Sequence, residues 1–366
     1  MESLVMSTDA EMAKPDAGFW RGKRVLLTGH TGFKGAWLAL WLHRLGAHVT
    51  GMALAPSTQP SLFELAGLAS SLDHHVLDIR EPRAVAELVR NAQPDVVFHL
   101  AAQALVRSSY TDPVGTWSAN VMGTVHLLDA LRQHPGTRVA VLVTTDKVYR
   151  NLEWHHPYRE CDELGGHDPY SASKAACELA IASYRDAFLG SSGLRVASAR
   201  AGNVMGGGDW AMDRLLPDAV AAWQQGHVLN IRRPDAIRPW QHVLEPLAGY
   251  LCLAQALWDD ATLTGPWNFG PHPHERATVR QVVQWASATW QGGGCGVHFD
   301  DSEQGPHEAG RLALDTAKAQ TLLKLQPRWG LEQAVRRTVR WYQAQHEGGD
   351  ARQLCLQDLA DWEAAE

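Results

Sequence analysis

The chain has 366 residues, enough for one large or two ordinary domains, and its 45% apolar and 20% charged residues are the balance of a globular protein. A net charge of −7 with no long basic run argues against a nucleic-acid binder. The longest apolar runs are strand-sized, well short of the roughly 20 residues a membrane span needs.

In chain order, residues 1–20 are polar and acidic, lack the apolar core of a signal peptide, and read as a flexible extension. From Lys23 to about Arg200, apolar runs at 24–28, 48–53, 74–77, 96–100, 139–143 and 194–199 alternate with amphipathic stretches of helix length. Continuous β-rich runs separated by helices predict a parallel sheet covered on both faces. The expected fold class is therefore α/β, a doubly wound, Rossmann-type parallel sheet of six strands over 21–200. Pro113 to Leu131 reads as one long helix. Asp168 to Phe188 reads as another, with Asp168 as N-cap and Pro169 in the first turn. Beyond Ala201 prolines and glycines cluster and helices shorten, which predicts a smaller, mostly helical substrate lobe at 201–345, with strands free to cross back to the first domain. Residues 346–366 read as a tail.

The five cysteines, Cys161, Cys177, Cys252, Cys295 and Cys355, form no CxxC pair and are odd in number. That fits incidental thiols in a reducing cytoplasm, the expected compartment. His155-His156 and His272-Pro273-His274 read as solvated loop histidines, and no metal is expected.

The first run closes on Thr28-Gly29-His30-Thr31-Gly32-Phe33-Lys34-Gly35 and opens an apolar helix. Gly29 suits a tight turn, Gly32 a close approach to a pyrophosphate, and Gly35 close helix–strand packing. The helix N-terminus adds free N–H groups, and Phe33 belongs to the same loop. Asp78-Ile79 after the third run and Ala101-Ala102 after the fourth fall where a dinucleotide's adenine and ribose would pass. The second run ends at Ala53 without the carboxylate that would hold a ribose 2′-OH, and no arginine replaces it. NAD is the expected cofactor.

Tyr170 and Lys174 lie one helical turn apart, a spacing that suits proton transfer coupled to hydride transfer. The expectation is that the Lys174 ammonium lowers the phenol's pKa from about 10. Thr145, Asp146 and Lys147 add a hydroxyl, a carboxylate and a second amine at a strand end.

From about Gly22 to Trp341 these motifs resemble the extended short-chain dehydrogenase/reductase superfamily. Thr145-Asp146-Lys147 resembles the Thr/Ser-Asp-Lys triplet of the cytidine-diphosphate-glucose branch of the nucleotide-sugar 4,6-dehydratases, where the deoxythymidine branch has Thr-Asp-Glu. Gly29 to Gly35, Gly165 to Tyr170, Arg200 to Val204, Gly206 to Trp210 and Ile237 to Val243 are similar to the same branch. The resemblance implies NAD, CDP-glucose as substrate, and three steps: oxidation at C4, loss of water across C5 and C6, and return of hydride to C6. It implies Tyr170 as the C4 base, Thr145 as a hydrogen-bond partner of the C4 oxygen, and Asp146 as the acid at C6. Lys147 would serve as the C5 base or as an enolate-stabilising ammonium. It further implies Asn203 and Arg238 at the diphosphate, with Arg107 and His307 as weaker candidates, and a homodimer formed through the two long helices. A dTDP or GDP 4,6-dehydratase, a nucleotide-sugar 4-epimerase and a cofactor-binding sensor without turnover are the alternatives.

Overall fold

Apolar runs that are buried on both sides become the strands of a central sheet in the computed structural model, which describes residues 12–231, 233–272, 275–291, 296–300 and 311–365. These strands are Arg24–Thr28 (β1), His48–Ala53 (β2), Asp73–Val76 (β3), Val96–His99 (β4), Val139–Val143 (β5) and Arg195–Ala201 (β6). The sequence-based count of six is corrected to seven. Gly265–Phe269 (β7) returns from the second lobe and pairs with β6. The order is β7-β6-β5-β4-β1-β2-β3, and every pairing is parallel.

Helices cover both faces. Phe33–Arg44 (α1) and Leu244–Asp259 (α5) contribute Trp37, Trp41, Leu247 and Leu251 to one core. Pro82–Ala92 (α2), the helix at 113–133 (α3) and Pro169–Tyr184 (α4) contribute Val85, Leu127, Leu128 and Ile181 to the other. α3 is continuous but carries one π turn at Ser118–Met122. There Asn120 is buried and donates to Ser173 Oγ on α4 (2.9 Å). A π turn reorients side chains locally, and here it joins α3 to the helix that bears Tyr170.

Described parts of the N-terminal extension and of the C-terminal tail are tied down. Ala17–Trp20 forms a helical turn, and its buried Trp20 donates to Gln255 Oε1 at 2.8 Å. After Leu331–His346 (α6), residues 351–364 form α7 (Ala351–Ala364), and Trp362 packs edge-on against Trp41 with centroids 5.3 Å apart. In both, a tryptophan has too much apolar surface to leave in water. Among the described residues no helix is long and apolar enough to cross a membrane, and no group of three or more metal-ligating side chains exists.

Candidate active site

One cleft of about 1770 Å³ runs along the C-terminal ends of the strands. This is where a doubly wound sheet leaves its strand-to-helix loops open to a ligand.

At one end the backbone shapes the wall. Gly29 has φ 79°, and a Cβ there would sit 2.7 Å from Ala101 N. A Cβ on Gly35 would lie 2.1 Å from Gly29 O, so the helix can cross the loop only without a side chain. Gly32 differs, because its Cβ would meet Gly29 O at an ordinary 3.5 Å. Protein packing leaves that position room for a side chain, whereas a phosphate against the N-terminus of α1 would not. Gly32 is also the N-cap of α1 and provides no side-chain cap, so the first amides stay open to an anion. Phe33, Asp78, Ile79, Ala101 and Ala102 line the same cleft. Asp78 is held by Arg80 (2.6 Å), which keeps its carboxyl below the usual range and leaves it an acceptor. These residues fit a dinucleotide. His30, which the sequence reading left without a role, is buried over Gly51 and bonds His74 (2.7 Å). Burial and the neighbouring His74 lower its pKa to about 4, so it is neutral near pH 7.

At the other end side chains dominate. β5 ends at Val143, and Thr145 caps a single turn at Asp146–Val148. Asp146 is buried. Its Oδ1 accepts from Thr145 Oγ1 (2.9 Å) and lies 3.3 Å from Lys147 Nζ. Lys147 Nζ also donates to Asn203 Oδ1 (3.3 Å). Asp168 caps α4 as expected, accepting from Ser171 N (2.9 Å), and α4 brings Tyr170 and Lys174 to the cleft. Lys174 Nζ donates to Val143 O at 3.1 Å.

The expected lowering of the Tyr170 pKa by Lys174 is not found. Burial pushes Tyr170 up to about 12, against a hydrogen bond with Thr145 that favours the phenolate, while Asp146 raises it further. Lys174 itself is lowered by burial, opposed by Cys177 and Glu178.

Of the expected substrate contacts, Asn203, Arg238 and Arg107 line the cleft. Asn203 reaches it through a short parallel pairing of Val204–Met205 with Gln241–His242, and Arg238 through pairing of Ile237–Arg238 with Ala277–Thr278. Arg107 is paired with Asp213 at 2.7 Å. His307 lies outside the described residues. Two cations were missed. Arg214 lines the cleft 3.5 Å from Asp209, and its buried Nε makes no hydrogen bond among the described residues. Lys34, in the glycine loop, has its pKa lowered to about 7 by burial, Arg214 and Lys174, while Asp146 raises it. Those partners place it with the reacting groups. An Asp-Arg pair just ahead of a helix was the signal for Arg214; for Lys34 the sequence held none.

A Rossmann-type sheet with a glycine loop, and a Tyr/Lys helix beside a Thr-Asp-Lys turn, define the class as an extended short-chain dehydrogenase/reductase. The profile of the GDP-mannose 4,6 dehydratase family matches residues 26–338, and the chain belongs to that family. It is 45% identical to the CDP-glucose 4,6-dehydratase of Salmonella typhimurium, over 96% of this chain and 99% of that one. Among solved structures it is similar to a UDP-glucose 4-epimerase of Thermotoga maritima with UDP-glucose, at 20% identity and TM-score 0.76, covering 88% of this chain and 99% of that one. It is also similar to the UDP-glucose 4-epimerase of Brucella ovis in complex with NAD, at 22% identity and TM-score 0.73, covering 87% and 97%.

Proposed function

We propose that this chain binds NAD and CDP-glucose and converts the sugar to CDP-4-keto-6-deoxyglucose and water. The observation that carries the reading is the meeting of Thr145-Asp146-Lys147 with Tyr170 and Lys174 in one cleft. Hydride transfer alone needs one base, and a second acid and amine are what loss of water adds. The full-length likeness to the Salmonella enzyme supports cytidine as the nucleotide. The NAD complex of the Brucella epimerase supports the cofactor.

Gly29, Gly32, Phe33, Gly35, Asp78, Ile79, Ala101, Ala102, Tyr170 and Lys174 are the residues that would hold NAD, which when bound would supply reversible hydride transfer between C4 and C6. Tyr170 takes the C4 hydroxyl proton. A phenol near 12 is a poor base, so the Thr145 hydroxyl and the Lys174 ammonium must favour the phenolate once substrate is in place. Asp146 and Lys147, 3.3 Å apart, act as a pair. Asp146 protonates the departing C6 hydroxyl, and Lys147 serves as the C5 base or as the ammonium that stabilises the enolate. Asn203 and Arg238 meet the diphosphate, with Arg107 paired to Asp213.

Two copies pair through α3 and α4, where Val114, Trp117, Met122 and Leu179 are exposed. Light scattering that gives a monomer at working concentration refutes that pairing. Incubation with NAD and CDP-, dTDP-, GDP- or UDP-hexoses, followed by mass spectrometry, tests the activity. Loss of one water from the CDP sugar is expected, and no loss from any of the four overturns the reading.

A further inference from the structure

Glu178 sits one turn beyond Lys174 and two beyond Tyr170 on α4, facing inward, and no step above uses it. Its carboxylate is buried and accepts four hydrogen bonds: from Thr144 Oγ1 (2.5 Å), Ser198 Oγ (2.6 Å), Arg200 Nη2 (2.9 Å) and Arg200 Nε (3.0 Å). Arg200 then uses Nη1 to donate to the Tyr149 hydroxyl (2.8 Å) and the Glu160 carbonyl (3.1 Å). The Tyr149 hydroxyl donates in turn to Asn268 Oδ1 on β7 (2.7 Å).

Thr144 is the residue before Thr145, and Tyr149 is two residues after Lys147. The network therefore holds the Thr-Asp-Lys turn at both ends and joins it to the helix that carries Tyr170 and Lys174. We propose that Glu178 and Arg200 are positioning residues: with Thr144 and Tyr149 they form a buried clamp that fixes the acid–amine turn relative to the Tyr/Lys helix.

The placement has a chemical reason. The base at C4 and the acid and amine at C5 and C6 reside on separate elements, α4 and β5's exit, yet act on successive carbons of one sugar. A shift of about 1 Å between reacting groups can cost roughly 100-fold in rate. The protein spends a buried ion pair at this junction, with side chains 4% and 3% exposed. Such a pair contributes little net stability but defines one geometry when all its hydrogen bonds are made. Through Asn268, whose Nδ2 donates to the Tyr158 and Asp315 carbonyls (2.9 and 3.1 Å), the clamp also reaches the loop at Tyr158 and, at Asp315, the second lobe.

This inference rests on the proposed dehydration, so its test has one arm that needs no substrate. Removing Glu178 or Arg200 strands a buried charge and risks unfolding, so the informative variants trim the clamp's ends. Thr144→Val and Tyr149→Phe keep shape and leave the Glu178–Arg200 pair intact. Each is expected to lower kcat for dehydration by roughly 10- to 100-fold with KM within about twofold, and Thr144→Ser to recover most of the rate. In the protein alone, amide hydrogen exchange across 145–149 is expected to rise about tenfold in Thr144→Val and to return toward the parent in Thr144→Ser. Parental kcat in both trimmed variants, a loss confined to KM, or failure of serine to rescue overturns the clamp. If the parent itself releases no water from CDP-glucose, the proposed function falls. The exchange arm still decides the clamp, and parental exchange in Thr144→Val rejects it.

Discussion

At the glycine-loop end of the cleft the backbone faces the ligand, whereas at the Thr-Asp-Lys end charged side chains do. The first wall is set by where a Cβ cannot go: 2.1 Å from Gly29 O at Gly35 and 2.7 Å from Ala101 N at Gly29. The second is set by contacts such as the 3.3 Å approach of Lys147 Nζ to Asp146. A backbone site tolerates changes of charge but not of volume, while a side-chain site tolerates small changes of volume but not of charge.

The contrast can be broken by substitution. Asp146→Asn keeps volume and removes the proton donor at C6. It is expected to lower dehydration by roughly 10³-fold while leaving C4 oxidation, read as reduced cofactor in a single turnover. Dehydration at the parental rate refutes the assignment of Asp146. Gly35→Ala adds only a methyl, yet it forces the loop apart. A destabilisation of about 3 kcal/mol, seen by denaturant melting, is expected together with loss of cofactor binding. Gly32→Ala is the control, with unchanged melting and weakened cofactor binding. Equal melting for the two alanine variants undoes the argument. Arg238→Ala is expected to weaken nucleotide-sugar binding by about 1.5–3 kcal/mol with little effect on cofactor binding, both measurable by calorimetry. The smallest effect lies outside both walls. Burial pushes the Glu245 carboxyl up to about 7, against hydrogen bonds from Trp362, Trp329 and Arg328. Because its folded value is raised, its contribution to stability is complete below its ordinary value of 4.5 and is lost as pH rises through 7. The parent should therefore lose stability relative to Glu245→Gln as pH rises between those limits. A difference that is flat across that range counts against it.

The same contrast explains what could be read from the sequence. Strands β1, β2 and β5 match their apolar runs residue for residue, and the other three expected strands fall within about two residues. Patterning, glycine spacing and the Asp168 cap are local signals and were legible. β7 was not, because Gly265-Pro266-Trp267-Asn268-Phe269 contains three poor strand formers. As an edge strand it can accommodate Pro266. α7 was legible and overlooked, since Cys355, Leu359 and Trp362 recur at helical spacing and all are buried. The positions of Lys34 and Arg214, and the raised Tyr170, arise from groups far apart in sequence and meet only in the folded cleft. No local pattern carries them.

The return of β7 to the sheet has a consequence for synthesis. While the chain emerges from the ribosome, β6 waits beside an empty edge until residues 265–269 arrive, some 64 residues after β6 ends at Ala201. An unpaired parallel edge is a template for pairing with other chains, so the nascent protein passes through an interval of exposure to aggregation that ends only when the second lobe is made.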